Sequence, residues 1–155
     1  MSGAMPSETE TRFWSDASDR GRVAILVTAS CTTGWRDWIH GALWLLPDAL
    51  LRRRLGLPAT IAHGNQPTIS CDDIPKSRLT DAEILDMERE HETNVLVRRD
   101  EITSASLRRG IVSSRLRLEL LDGRKIKLYW LKADPAYDLL RPILRDWLAD
   151  RLEDR

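Results

Sequence analysis

From Arg115 to Leu131 apolar and polar residues alternate almost without interruption. Leu116, Leu118 and Leu120 fall on one side of a first segment, Ile126, Leu128 and Trp130 on one side of a second, and Arg, Glu and Lys fill most positions between. Period-2 alternation of this kind predicts two half-buried strands joined as a hairpin. A two-residue Asp122-Gly123 loop would set Leu118 against Lys127 and Leu120 against Lys125, which mismatches the faces. A three-residue loop, Leu121-Asp122-Gly123, sets Leu118 against Ile126, Leu116 against Leu128 and Glu119 against Lys125. The pattern therefore predicts a type I turn with a G1 bulge and Gly123 at positive φ.

Other segments carry different periods. Arg22 to Ala29 is a continuous apolar run rich in β-branched residues, which predicts a buried strand. In Gly34 to Leu55, Trp35, Trp38, Ile39, Ala42, Leu43, Leu46, Ala49 and Leu50 recur at helical spacing, predicting a Trp-rich helix kinked or split at Pro47. Ala59 to His63 and Thr68 to Cys71 read as two short strands among Pro and Gly. Thr80-Asp81-Ala82-Glu83 is a capping box and predicts a helix to about Glu92, with Ile84, Leu85 and Met87 inward. Strands follow at Asn94 to Arg99 and Glu101 to Leu107, with Arg108-Arg109-Gly110 as a turn. Asp134 and Pro135 suit the N-cap and first position of a last helix, whose inner face is Ala136, Leu140, Ile143, Leu144, Trp147 and Leu148.

Length and charge narrow the classes. A chain of 155 residues suits one domain; we expect a flexible polar tail over residues 1–20 and a single α+β domain over residues 21–155. The 24 basic residues equal the 24 acidic ones, which argues against nucleic acid as a partner. The balance is uneven along the chain: residues 72–92 hold eight acids and three bases, and residues 96–132 ten bases and four acids. No stretch has the ~20 charge-free apolar residues of a transmembrane span, and without an apolar leader segment near residue 1 the expected location is cytoplasmic.

The strand Asn94 to Arg99, the segment Asp100-Glu101-Ile102-Thr103-Ser104-Ala105-Ser106-Leu107-Arg108-Arg109-Gly110, the Leu121-Asp122-Gly123-Arg124-Lys125 hairpin and Tyr137-Asp138-Leu139-Leu140-Arg141-Pro142-Ile143-Leu144 together resemble the second half of a bacterial pleckstrin-homology-like (PH-like) domain, over residues 94–150. The resemblance implies a curved antiparallel sheet closed by the C-terminal helix and a non-catalytic role in binding lipid, peptide or protein. That family's N-terminal half is mostly strands, so the Trp-rich helix and the capped helix are expected to be insertions.

Two surfaces are candidate binding sites. The first is the outer face of the hairpin, Arg115, Arg117, Lys125, Lys127 and Tyr129, with Arg108 and Arg109 nearby; several cations on one rigid face hold an anionic head group or acidic peptide by charge-assisted hydrogen bonds. The second is Trp35, Trp38 and Trp44 with Arg52, Arg53 and Arg54, the aromatic-plus-basic composition of a helix lying on anionic lipid. That surface underlies the alternative reading, a peripheral membrane protein. A third reading is a small hydrolytic enzyme using Asp72, Asp73 and Glu83, although carboxylate chemistry needs a cleft.

No metal or cofactor is expected: His40, His63 and His91 show no ligand spacing with Cys31, Cys71, Asp72 or Asp73, and the nucleotide, hydrolase and zincin motifs are absent. Cys31 and Cys71 stand apart without a CxxC neighbour and are expected as reduced thiols.

Overall fold

The computed structural model describes residues 21–34, 37–64 and 66–155. The predicted tail over residues 1–20 and the candidate Trp35 lie outside them. In chain order the elements are β1 (Arg22–Cys31), β2 (Gly41–Leu45), β3 (Ala49–Arg54), α1 (Leu57–His63), β4 (Lys76–Leu79), α2 (Asp81–Arg89), β5 (Val95–Arg98), β6 (Ile102–Arg108), β7 (Ser113–Leu120), β8 (Lys125–Leu131), α3 (Ala136–Leu148) and β9 (Leu152–Asp154). The fold is α+β.

Two sheets carry it. The first is antiparallel in the order β4-β1-β2-β3-β5; the second runs β8-β7-β6-β9 and is antiparallel except for the β6–β9 pair. Their inner faces share one core, in which Val23, Ile25 and Val27 of β1 meet Leu107 of β6, Leu116 and Leu118 of β7, Leu128 and Trp130 of β8, and Leu140, Ile143, Leu144 and Trp147 of α3. The α3 face is the one its periodicity predicts. Burial of such side chains contributes roughly 1.5–3 kcal/mol each before the cost of ordering the chain.

The β7–β8 hairpin has the predicted register. Leu118 faces Ile126, Leu116 faces Leu128 and Glu119 faces Lys125, and Gly123 closes the loop at φ 87°. The Thr80 capping box is also formed: the Glu83 amide donates to Thr80 Oγ1 and the Thr80 amide to Glu83 Oε2. Helix α2 ends at Arg89, short of Glu92, and the Asn94 side chain accounts for the stop, donating to Met87 O while accepting the Arg54 amide.

The described part of Gly34 to Leu55 is not a helix. It forms the β2–β3 hairpin, turning at Pro47 where the Leu46 amide donates to Ala49 O. Helical spacing misleads here because this sheet is covered on both sides. Leu43, Leu45 and Leu50 face the main core, while Leu46, Ala49 and Leu51, with half-buried Trp44, form a second cluster under Ile84 and Met87 of α2. A strand apolar on both faces has no alternation left to read.

Three smaller expectations also change. Residues 59–63 belong to α1, a helix that Pro58 suits because its fixed φ fits the first turn. Thr68 to Cys71 forms no strand beyond the isolated Ser70–Asp73 bridge. Asp134 does not cap α3; Pro135 occupies the N-cap, and the buried Asp134 carboxylate accepts from the Thr28, Ser30 and Thr68 hydroxyls and from the Thr68 and Ile69 amides. Each hydroxyl donates to it while itself accepting a backbone amide, from Ser30, Leu131 and Ala29 respectively.

Candidate functional site

The alternation that buries Leu116, Leu118 and Leu128 sends the intervening side chains of β6, β7 and β8 outward, and the register sets them in rows. One row is Arg108, Arg115 and Tyr129; the next is Ser106, Arg117 and Lys127. Arg108 thus faces Arg115 across the strands, and Arg117 faces Lys127. Like charges directly opposite oppose sheet stability. Among the described residues none of these four cations forms an ion pair, and Arg115 Nε is buried without an acceptor.

The fifth hairpin candidate stands apart, since Lys125 lies 3.8 Å from the Glu119 carboxylate. Arg109 is likewise engaged, by Asp138 and by the Tyr137 ring, 4.4 Å from its guanidinium carbon.

Beyond its last strand residue β1 reaches the free edge of β8. Thr32 and Tyr129 exchange both backbone hydrogen bonds, at 2.8 and 2.9 Å, and the crossing makes a cleft of about 640 Å³ lined by Thr32, Thr33, Gly34, Trp38, Ser113, Lys127 and Tyr129. A second cleft of about 260 Å³ is lined by Arg108, Gly110, Ser113, Arg115 and Tyr129. Ser113 and Tyr129 line both, so the two clefts adjoin and together hold three of the unpaired cations, Lys127 in the first and Arg108 and Arg115 in the second.

Apolar side chains are exposed here. Trp38, which lines the first cleft, is 59 % exposed, and Ile111 and Val112, between the lining residues Gly110 and Ser113 in the turn from β6 to β7, are 92 % and 70 % exposed. Gly110 lets that turn fold back: a Cβ there would lie 1.9 Å from Ser113 O.

The lip carrying Thr33 and Trp38 hangs on Arg52. Asp37 Oδ2 accepts from the Thr33 amide and hydroxyl and lies 3.1 Å from Arg52 Nη2. The guanidinium, fully buried, also donates to Cys31 O, Ile39 O, Thr93 O and Thr93 Oγ1. Arg52 is therefore a buried strut and not a surface cation as the sequence suggested. Arg53 makes two 2.8 Å hydrogen bonds with Glu90, and the Arg54 side chain is half-buried. Among the described residues of the Trp-rich set, Trp38 joins the hairpin cation Lys127, while Trp44 packs on the second cluster. The orphan Arg115 donor and the exposed Ile111 and Val112 are properties of the folded chain that its sequence did not signal.

The acidic candidates do not share this setting. Asp72, Asp73 and Glu83 are exposed, and the Glu83 carboxylate is held by the Thr80 amide. Among the described residues no group of three or more His, Cys, Asp and Glu is placed to hold a metal ion, and no helix is long and apolar enough to cross a membrane. Comparison with protein-family models and with curated proteins finds no match.

Proposed function

We propose that this chain is a non-catalytic binding module of PH-like type whose groove takes the head group of an anionic lipid at a bilayer surface. The observation that carries the reading is the pair of facing cation rows, left without acidic partners beside an orphan Arg115 donor, with exposed Trp38, Ile111 and Val112 close by in the chain or in the cleft wall. Charge-assisted hydrogen bonds from Arg108, Arg115 and Lys127 suit a phosphate or carboxylate. Exposed aliphatics and an indole next to those cations suit the boundary where head groups meet acyl chains.

The order of elements supports the PH-like part. Strands β1, β2, β3 and β5, then β6, β7 and β8, precede the closing helix α3, with α1, β4 and α2 as additions between β3 and β5. The N-terminal half is thus stranded, as the family's is, and the β2–β3 hairpin removes the Trp-rich helix that had set it apart.

Co-sedimentation with phosphatidylcholine vesicles, with and without phosphatidylserine, tests the function. Binding is expected only with phosphatidylserine, weakening as salt rises and lost in the triple variant Arg115→Glu, Arg117→Glu, Lys127→Glu. Equal binding to both vesicle types, or a triple variant that folds and binds as before, would count against it. Ile111→Ser with Val112→Ser is expected to reduce vesicle binding while leaving binding of soluble glycerophosphoserine unchanged.

A further inference from the structure

Helix α1 is joined to the chain at two left-handed glycines, Gly56 at φ 102° and Gly64 at φ 54°, conformations that L side chains rarely adopt. Two of its residues, Leu57 and Ile61, are exposed. Two others reach the body of the fold, and both meet His40, in the segment leading into β2. Thr60 Oγ1 accepts the His40 amide at 2.8 Å. His63 Nδ1 lies 3.0 Å from His40 Nδ1, with the two rings within 19° of parallel.

A 3.0 Å contact between two Nδ1 atoms requires one to carry hydrogen and the other a lone pair. A neutral pair meets this, and so does a pair holding one extra proton, as imidazolium donating to imidazole. A pair holding two extra protons cannot: both Nδ1 atoms then carry hydrogen, and two positive charges face one another.

We propose that the His40–His63 pair is a proton-operated clip, holding α1 against the body of the fold at neutral pH and releasing it once both imidazoles are fully protonated. The surroundings of His40 favour release in acid. Burial, then the neighbouring His63, hold its pKa below the ordinary histidine value; Arg52 of β3 adds to this, and Asp134, ahead of α3, opposes it. A proton thus binds more readily to the released state, so acid shifts the equilibrium towards release.

Hydrogen exchange read by mass spectrometry at about pH 7.5 and about pH 5, either side of the ordinary histidine pKa of ~6.5, tests the clip after correction for intrinsic exchange rates. Protection of the α1 amides is expected to fall about tenfold in acid, the loss of one net hydrogen bond, while β6 and β7 stay protected at both values. In His63→Asn the amide oxygen still accepts from His40 but does not titrate, so α1 is expected to stay protected at both; in His63→Ala protection is low at both. Unchanged protection in the wild type, or a His63→Asn protein as sensitive to pH as wild type, overturns the proposal. Nitrogen-15 spectra of the wild-type imidazoles give a second reading that needs no variant. At neutral pH one ring is expected as the Nδ1–H tautomer, and finding both rings as Nε2–H tautomers would leave no proton to share.

Discussion

Arg52 and Arg53 are neighbours on β3 with opposite surroundings, and replacing each by alanine separates two kinds of ion pair within one protein. The Arg52 guanidinium is fully buried and serves Asp37 and the carbonyls of Cys31, Ile39 and Thr93. Removing it strands those acceptors and leaves a largely buried carboxylate without its cation. Breaking a buried pair this way costs about 3–5 kcal/mol, a large share of the ~5–15 kcal/mol that holds a domain together. At ~2–4 °C per kcal/mol for a chain of this size, Tm is expected to fall by roughly 6–20 °C in Arg52→Ala. The Arg53–Glu90 pair is partly exposed on both sides, and Arg53→Ala is expected to cost less than about 1 kcal/mol. Urea denaturation followed by tryptophan fluorescence measures both. If Arg52→Ala lost no more than Arg53→Ala, the lip of the groove would not depend on the guanidinium.

Two further predictions concern charge and thiol chemistry. Because Arg117 and Lys127 oppose one another across β7 and β8, Lys127→Glu is expected to stabilise the free protein by about 0.2–1 kcal/mol while weakening vesicle binding, read by urea denaturation and co-sedimentation; a variant that gained no stability would mean that the facing cations do not repel. Burial pushes the Cys31 thiol up to about 12, chiefly by desolvation, whereas Cys71 is exposed, so Ellman's reagent at mildly alkaline pH is expected to titrate one thiol promptly and the second only in denaturant. Prompt reaction of both would contradict the burial of Cys31.

The elements legible in the sequence are those whose reasons are local. The β7–β8 hairpin is half-buried, so its alternation survives and Gly123 fixes the register; the Thr80 box and the apolar stripe of α3 likewise depend on residues a few positions apart. The β2–β3 hairpin failed for a tertiary reason. With the main core on one side and α2 on the other, apolar residues stand at nearly every position, and some of them match helical spacing by default. Arg52 sits within that run and reads as one of three exposed arginines, because its partners lie up to 41 residues away. The hairpin cations of the groove were visible for the same local reason as the hairpin. The lip at Thr32 and Thr33 was not, since nothing nearby in the chain says that β1 crosses to β8.

The zero net charge of the whole chain does not weigh against anion binding at this groove, because charges in water are felt only over a Debye length of about 8 Å at physiological salt. Adjacent strands lie about 4.8 Å apart, so the cations of the facing rows act on a ligand together while distant acids are screened. Nearby acids are spoken for: Glu119 has Lys125, Asp138 has Arg109, and Asp154 has Arg141 and Arg145. Most arginines of the described chain are matched to a carboxylate or a carbonyl. Arg108, Arg115 and Arg117, with Lys127, stand facing each other at a cost to the sheet, and a bound anion would turn that repulsion into shared attraction.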